Sequence, residues 1–124
     1  MAMNVEKFAA EAFRNEPKLR YVGIVDNFHI VLSKMREGVQ SLTTDQDERN
    51  FTQIMPPIII DAVEKMQPML GKLNSVTIRY ENVLLVFFRM QGLVVVFSFD
   101  PDVSTPFINT LSDKMLMLGA TYLT

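Results

Sequence analysis

Two apolar runs, Val83–Phe88 and Leu93–Phe99, decide most of what this chain can fold into. A strand with one face in water alternates apolar and polar residues. These runs hardly alternate, so both of their faces must be covered. Asn82 and the Gln91-Gly92 pair stand at the turns before each run. The two strands therefore belong in the middle of a sheet that carries helices on its faces. The preceding stretch, Ser75-Val76-Thr77-Ile78-Arg79-Tyr80-Glu81, alternates strictly and belongs at an edge, with one face buried and the other polar.

Upstream, Val5, Phe8, Ala9, Ala12 and Phe13 fall at helical spacing, with Asn4 placed to cap. This predicts a first helix from Asn4 to Arg14, ended before Pro17. Tyr21–Val25 reads as a short strand, Asp26-Asn27 as its turn, and His29–Met35 as a hairpin partner suited to the other edge. Arg36–Thr44 is a loop containing Gly38. After the sheet is broken by Asp100-Pro101-Asp102, Ser104 or Thr105 caps a last helix with Pro106 in its first turn. Its stripe is Phe107, Ile108, Leu111, Met115 and Leu118; Gly119 is the expected stop, with residues 119–124 a tail. The order is α-β-β-α-β-β-β-α. That is an α+β fold with a single five-stranded, mainly antiparallel sheet in one domain spanning 1–124.

The central helix, Asp45 to Gly71, is the unusual element. Phe51, Ile54, Met55, Ile58, Ala62, Met66, Met69 and Leu70 follow a helical spacing, while Ile59, Ile60 and Val63 lie round the side. At about 100° per residue, Ile58 to Ile60 span about 200° of the circumference, too much for one sheet to cover. Monomers avoid leaving such a patch exposed, so a second copy is the expected cover. Met55, Met66 and Met69 suit either an adaptable interface or a filled core. Thr44 or Asp45 can cap, and Asp45, Asp47 and Glu48 complement the helix dipole in the first turn. Pro56-Pro57 removes two backbone donors, at about 3 kcal/mol or more per mid-helix proline, which predicts a kink or break near Met55 to Pro57. Pro68 and Gly71 end the element.

The 124 residues suffice for one domain with a real core. Net charge is −2 and the pI about 5.3, so the chain has no electrostatic footprint for nucleic acid. The chain has no cysteine, which removes disulfides and thiol catalysis. No run reaches the roughly 18 apolar residues of a membrane span, and Met1–Lys7 lacks the character of a signal peptide, so a cytoplasmic protein is expected. His29, the one histidine, has no carboxylates at ligand spacing. Asp45, Asp47 and Glu48 lack the glycine and terminal glutamate of a calcium loop. Arg36, Arg79 and Arg89 can serve an anion or a partner carboxylate, or simply be solvated. Phosphate-binding glycine loops and nucleophile–base–orienter sets are missing, so no catalytic residue, metal or cofactor is expected.

The element order, with a long central helix and an amphipathic third strand, resembles the roadblock (dynein light chain) domain family, a relative of the longin and profilin-like folds, from Asn4 to Leu118. Met35-Arg36-Glu37-Gly38-Val39, Arg79-Tyr80-Glu81 and Phe99-Asp100-Pro101 are similar to segments of small archaeal proteins of this class. The resemblance implies a non-catalytic homodimer that binds a small GTPase or serves as a scaffold, its central helices packed antiparallel and its third strands paired. Carried over, it marks Phe51, Ile54, Met55, Ile58, Ile59, Ala62 and Met66 on the helix, and Thr77 and Arg79 on the strand, as the interface. Pro56-Pro57 departs from the family pattern. The alternative is a small-ligand sensor on a related PAS-like or profilin-like sheet. It predicts a cavity of a few hundred Å3 between sheet and helix, lined by Phe87, Phe97 and methionines.

Overall fold

The computed structural model describes residues 3–124; Met1 and Ala2, which begin the segment weighed above as a signal peptide, lie outside the described residues. Helix α1 (Val5–Asn15) leads into the hairpin of β1 (Leu19–Asp26) and β2 (His29–Met35). Helix α2 (Asp45–Glu64) and the single turn α3 (Gln67–Leu70) follow. The chain then forms β3 (Val76–Arg79), β4 (Leu84–Met90), β5 (Leu93–Phe99) and finally α4 (Thr105–Tyr122). All five strands join one sheet in the order β2-β1-β5-β4-β3, each neighbouring pair antiparallel. The continuous runs hold the middle and the two alternating strands hold the edges, as their patterns require.

The sheet separates two cores. Leu84, Val86 and Phe88 of β4 and Val95, Phe97 and Phe99 of β5 face α1 and α4, meeting Phe8, Ala12, Leu111 and Met115. Val94 and Val96 of β5 and Phe87 of β4 face α2, meeting Ile60. The alternation of strand side chains thus feeds a thick core on one face and a thin one on the other.

Helix ends follow local chemistry. The Asn4 side chain accepts from Lys7 N at 3.1 Å and starts α1. At its other end Arg36 donates to the carbonyls of Phe13, Glu16 and Leu19 at 2.6 to 2.8 Å, and its guanidinium stands over the Phe13 ring. Phe13 lies in the last turn of α1, where a carbonyl has no following helical amide, while Glu16 is the C-cap residue and Leu19 opens β1. Arg36 is therefore a cap.

Three expectations need correction. The β1–β2 turn is Asn27-Phe28, one residue later than its sequence signal, with φ of +48° and +68° and Asp26 paired to His29. Positive φ at both positions matches the twist of a two-residue hairpin. Gln53 Nε2 donates to the Phe28 carbonyl at 2.9 Å and so ties the tip to α2. Second, α4 runs past Gly119 to Tyr122. Gly119 lies against Met90 and Leu123 is buried, so residues 119–124 pack instead of trailing. Third, α2 is not broken at Pro56-Pro57; both prolines are buried inside it, and the helix gives way later, at Lys65-Met66.

What seats α2 is a missing side chain. A Cβ on Gly23 of β1 would stand 2.7 Å from Thr52 Cγ2 and 2.9 Å from the Tyr21 hydroxyl oxygen. Thr52, Pro56 and Ile60, four apart, form the buried stripe that comes down on this spot. Tyr21 shares hydrogen bonds with Thr52 Oγ1 at 3.0 Å and Ser33 Oγ at 2.8 Å, linking α2, β1 and β2. Gly23→Ala is expected to lower stability by about 1–3 kcal/mol through overpacking, read from the urea midpoint. Thr52→Ser, which removes Cγ2 and keeps the hydroxyl, should recover part of that loss in the double variant.

Candidate protein interface

Helix α2 is covered on one side only. Thr52, Pro56 and Ile60 point into the thin core, whereas Ile54, Met55, Ile58, Ala62, Val63 and Met66 are exposed. Ile58 keeps 49% of its accessible surface, and beyond the break Met69 and Leu70 keep 70% and 77%. The run of three isoleucines is graded: Ile58 outward, Ile59 half-buried against the thin core, Ile60 fully buried. Phe51 is also half-buried, its ring 6.4 Å from that of Phe87.

At the end of the sheet, among the described residues, β3 pairs only with β4, so its outer backbone edge is free. Val76 and Ile78 share the α2 side with their partners Phe87 and Leu85. Thr77 and Arg79 pair with Val86 and Leu84 and therefore point to the other side of the sheet. Of the strand residues marked in the sequence, neither lies on the face shared with α2. Val76 and Ile78 do, and a period of two counted from the buried partner strand identifies them.

The three arginines singled out in the sequence are engaged within the chain. Arg36 caps α1. Arg79 donates to the carbonyls of Pro101 and Val103 at 2.7 and 2.8 Å and pins the loop before α4. Arg89 of β4 reaches up to α2, where it meets Asp61 at 2.8 Å and Glu64 at 2.7 Å. His29 is exposed on the edge strand. Among the described residues, no group of three His, Asp or Glu side chains could hold a metal, and no helix is long and apolar enough to cross a membrane.

A cavity of about 560 Å3 opens between the first half of α2 and the sheet. Its lining differs from the expected one: Tyr21, Met35, Phe51, Leu85, Val96 and Ser98 contribute, whereas Phe87 and Phe97 do not. Phe97 faces α1 on the opposite side, and Phe87 is sealed beneath Phe51. Burial pushes the Tyr21 phenol above its ordinary range despite the opposing hydrogen bonds from Ser33 and Thr52. An unfolded chain therefore ionises this group first. The stability it contributes holds below about pH 10 and falls as pH rises through and beyond that value. Urea titrations between roughly pH 9 and 11 should show a shallower alkaline loss in Tyr21→Phe than in the parent.

No protein-family model matches the chain, and neither does any curated protein. Solved structures do match over nearly the whole length. A Roadblock/LC7 domain from Streptomyces avermitilis superposes with a TM-score of 0.71 at 8% identity, covering 95% of this chain and 93% of that one. The gliding protein MglB from Thermus thermophilus gives 0.65 at 10% identity, covering 94% and 86%. MglB from Myxococcus xanthus gives 0.63 at 16%, covering 93% and 96%. At such identities the likeness speaks for architecture, and the architecture is clear: this chain has the roadblock fold.

Proposed function

We propose that the chain pairs with a second copy of itself through the outer face of α2 and the free edge of β3, and that the pair is a non-catalytic platform for a protein partner. The observation that carries this reading is the exposed apolar face of Ile54, Met55, Ile58, Ala62 and Met66, together with a β3 edge that pairs with no further strand among the described residues. Covering that face removes apolar surface from water at roughly 25 cal/mol per Å2, and pairing the edge satisfies its backbone groups. One structure of the same fold is described as MglB with a tetrameric arrangement, at 11% identity and a TM-score of 0.66, which supports self-association as a use of this architecture.

Light scattering at micromolar concentration is expected to give twice the chain mass. Ile58→Asp should return it to the single-chain mass without unfolding, because Ile58 makes its contacts outside its own core while a buried unpaired charge costs several kcal/mol at the seam. A charge at Ile59 would strike the thin core as well and is the poorer test. An Ile58→Asp protein that keeps the parent mass removes α2 from the interface.

The partner class rests on the roadblock resemblance and is a small GTPase. Wild-type bait in native lysate is expected to retain a protein of that class, identified by mass spectrometry. Its absence from repeated preparations would leave the pairing and remove the GTPase.

A further inference from the structure

The cavity beneath the first half of α2 is a separate feature from the outer face of that helix. Its floor is a row across the sheet in which Tyr21 of β1, Ser98 of β5 and Leu85 of β4 stand side by side. Along β5 every other residue is apolar, from Leu93 to Phe99, and Ser98 alone breaks the run. It does so beneath the first half of α2, where the cavity separates helix from strand. Ser98 is 8% exposed, yet its hydroxyl has no hydrogen-bond partner among the described residues. No buried side-chain oxygen or nitrogen among the described residues lacks a partner, so the Ser98 hydroxyl is not sealed away: it opens into the cavity, free to meet a group placed there. At the rim, Leu42 holds 61% of its surface in water outside either core.

From this juxtaposition we propose that the cavity binds a neutral, largely apolar small molecule whose single hydrogen-bonding group meets the Ser98 hydroxyl while its body lies against Tyr21, Met35, Phe51 and Leu85. The volume of about 560 Å3 falls within the span of small-ligand pockets, roughly 300–1,000 Å3. Charge selects against an anion. The one cation in the lining, Arg20, is held by Asp100 Oδ1 at 3.1 Å and the Gln40 carbonyl at 2.8 Å. Asp47 and Glu48 also border the space, and burial raises the Glu48 carboxyl above its ordinary range, against the lowering effect of the Ser41 hydroxyl.

N-phenylnaphthylamine, a neutral fluorophore with one N–H donor, is a suitable probe for the full-length chain. Its fluorescence should rise saturably at one molecule per chain. Ser98→Ala should weaken binding roughly three- to tenfold, the worth of one hydrogen bond, with circular dichroism confirming the fold. Methyl NMR on the wild-type protein locates the site without any substitution: the Met35 resonance should move and that of Met117, on α4, should stay. Binding should also survive Ile58→Asp, which separates this site from the proposed pairing face. The assignment is overturned by an absence of saturable binding, by equal affinity in Ser98→Ala, or by shifts at Met55 and Met66 in place of Met35. Binding confined to Ile58→Asp would overturn it too, since a second copy would then be the occupant.

Discussion

The approach of α2 to Gly23 fixes the rest of this molecule. With no side chain at that point of β1, Thr52 descends until its methyl group occupies the space a Cβ would need. The register then decides what the helix covers. Gly23 stands beside Val96, which stands beside Phe87, and this row lies under the helix. The next row, Tyr21, Ser98 and Leu85, floors the cavity beneath the first half of the helix. The same contact sets the rotation of α2 about its axis. With Thr52, Pro56 and Ile60 turned inward, Ile54, Ile58 and Ala62 can only turn outward. Cavity and apolar face are two consequences of one seating.

That seating also explains why two adjacent prolines do not break the helix. Locally the rule against mid-helix proline is sound, since the carbonyls of Thr52 and Gln53 lose their amide partners. Tertiary anchors on both sides hold the line. Before the prolines, Thr52 is bonded to Tyr21 and Gln53 to the hairpin tip. After them, Ile60 is fully buried and Arg89 clasps Asp61 and Glu64. The proline rings themselves are buried, so they remove apolar surface from water where they forfeit hydrogen bonds. The break comes instead at Lys65-Met66, one residue past the last of these anchors, Glu64.

Sequence patterns were most informative where a period meets a buried surface. The continuous runs of β4 and β5, the edge character of β2 and β3, and the Asn4 cap all follow from spacing and one-residue chemistry. The length of α4 did not, because Gly119 resembles a stop signal and only its packing against Met90 shows why it is a place of close approach. On α2 the 3.6-residue period separates the exposed Ile58 from the buried Ile60. On β3, Thr77 and Arg79 stand on the face of the sheet away from α2, while Val76 and Ile78 share its side. The use of Arg79 as a loop clamp has no local signature, and Ser98 shows only as a polar break in an apolar run, since the cavity it meets depends on an element distant in sequence.

The two faces of the sheet divide the work unequally. Against α1 and α4, Phe97 stacks near Phe8 at 6.2 Å and meets Phe88 edge-on at 5.6 Å, while Phe99 meets Phe107 edge-on at 5.8 Å. Such pairs add to the burial of large rings and leave little room to move. A core of this kind can hold the sheet rigid from one side. The α2 side then has freedom that an equally shared core would not give: a single helix, a thin apolar layer and a cavity between them. Energetically, an interaction surface is apolar area withheld from folding, and a small domain can withhold it only where another face supplies the stability. The phenylalanine layer behind β5 is therefore what permits the isoleucine and methionine face in front to remain uncovered in the single chain.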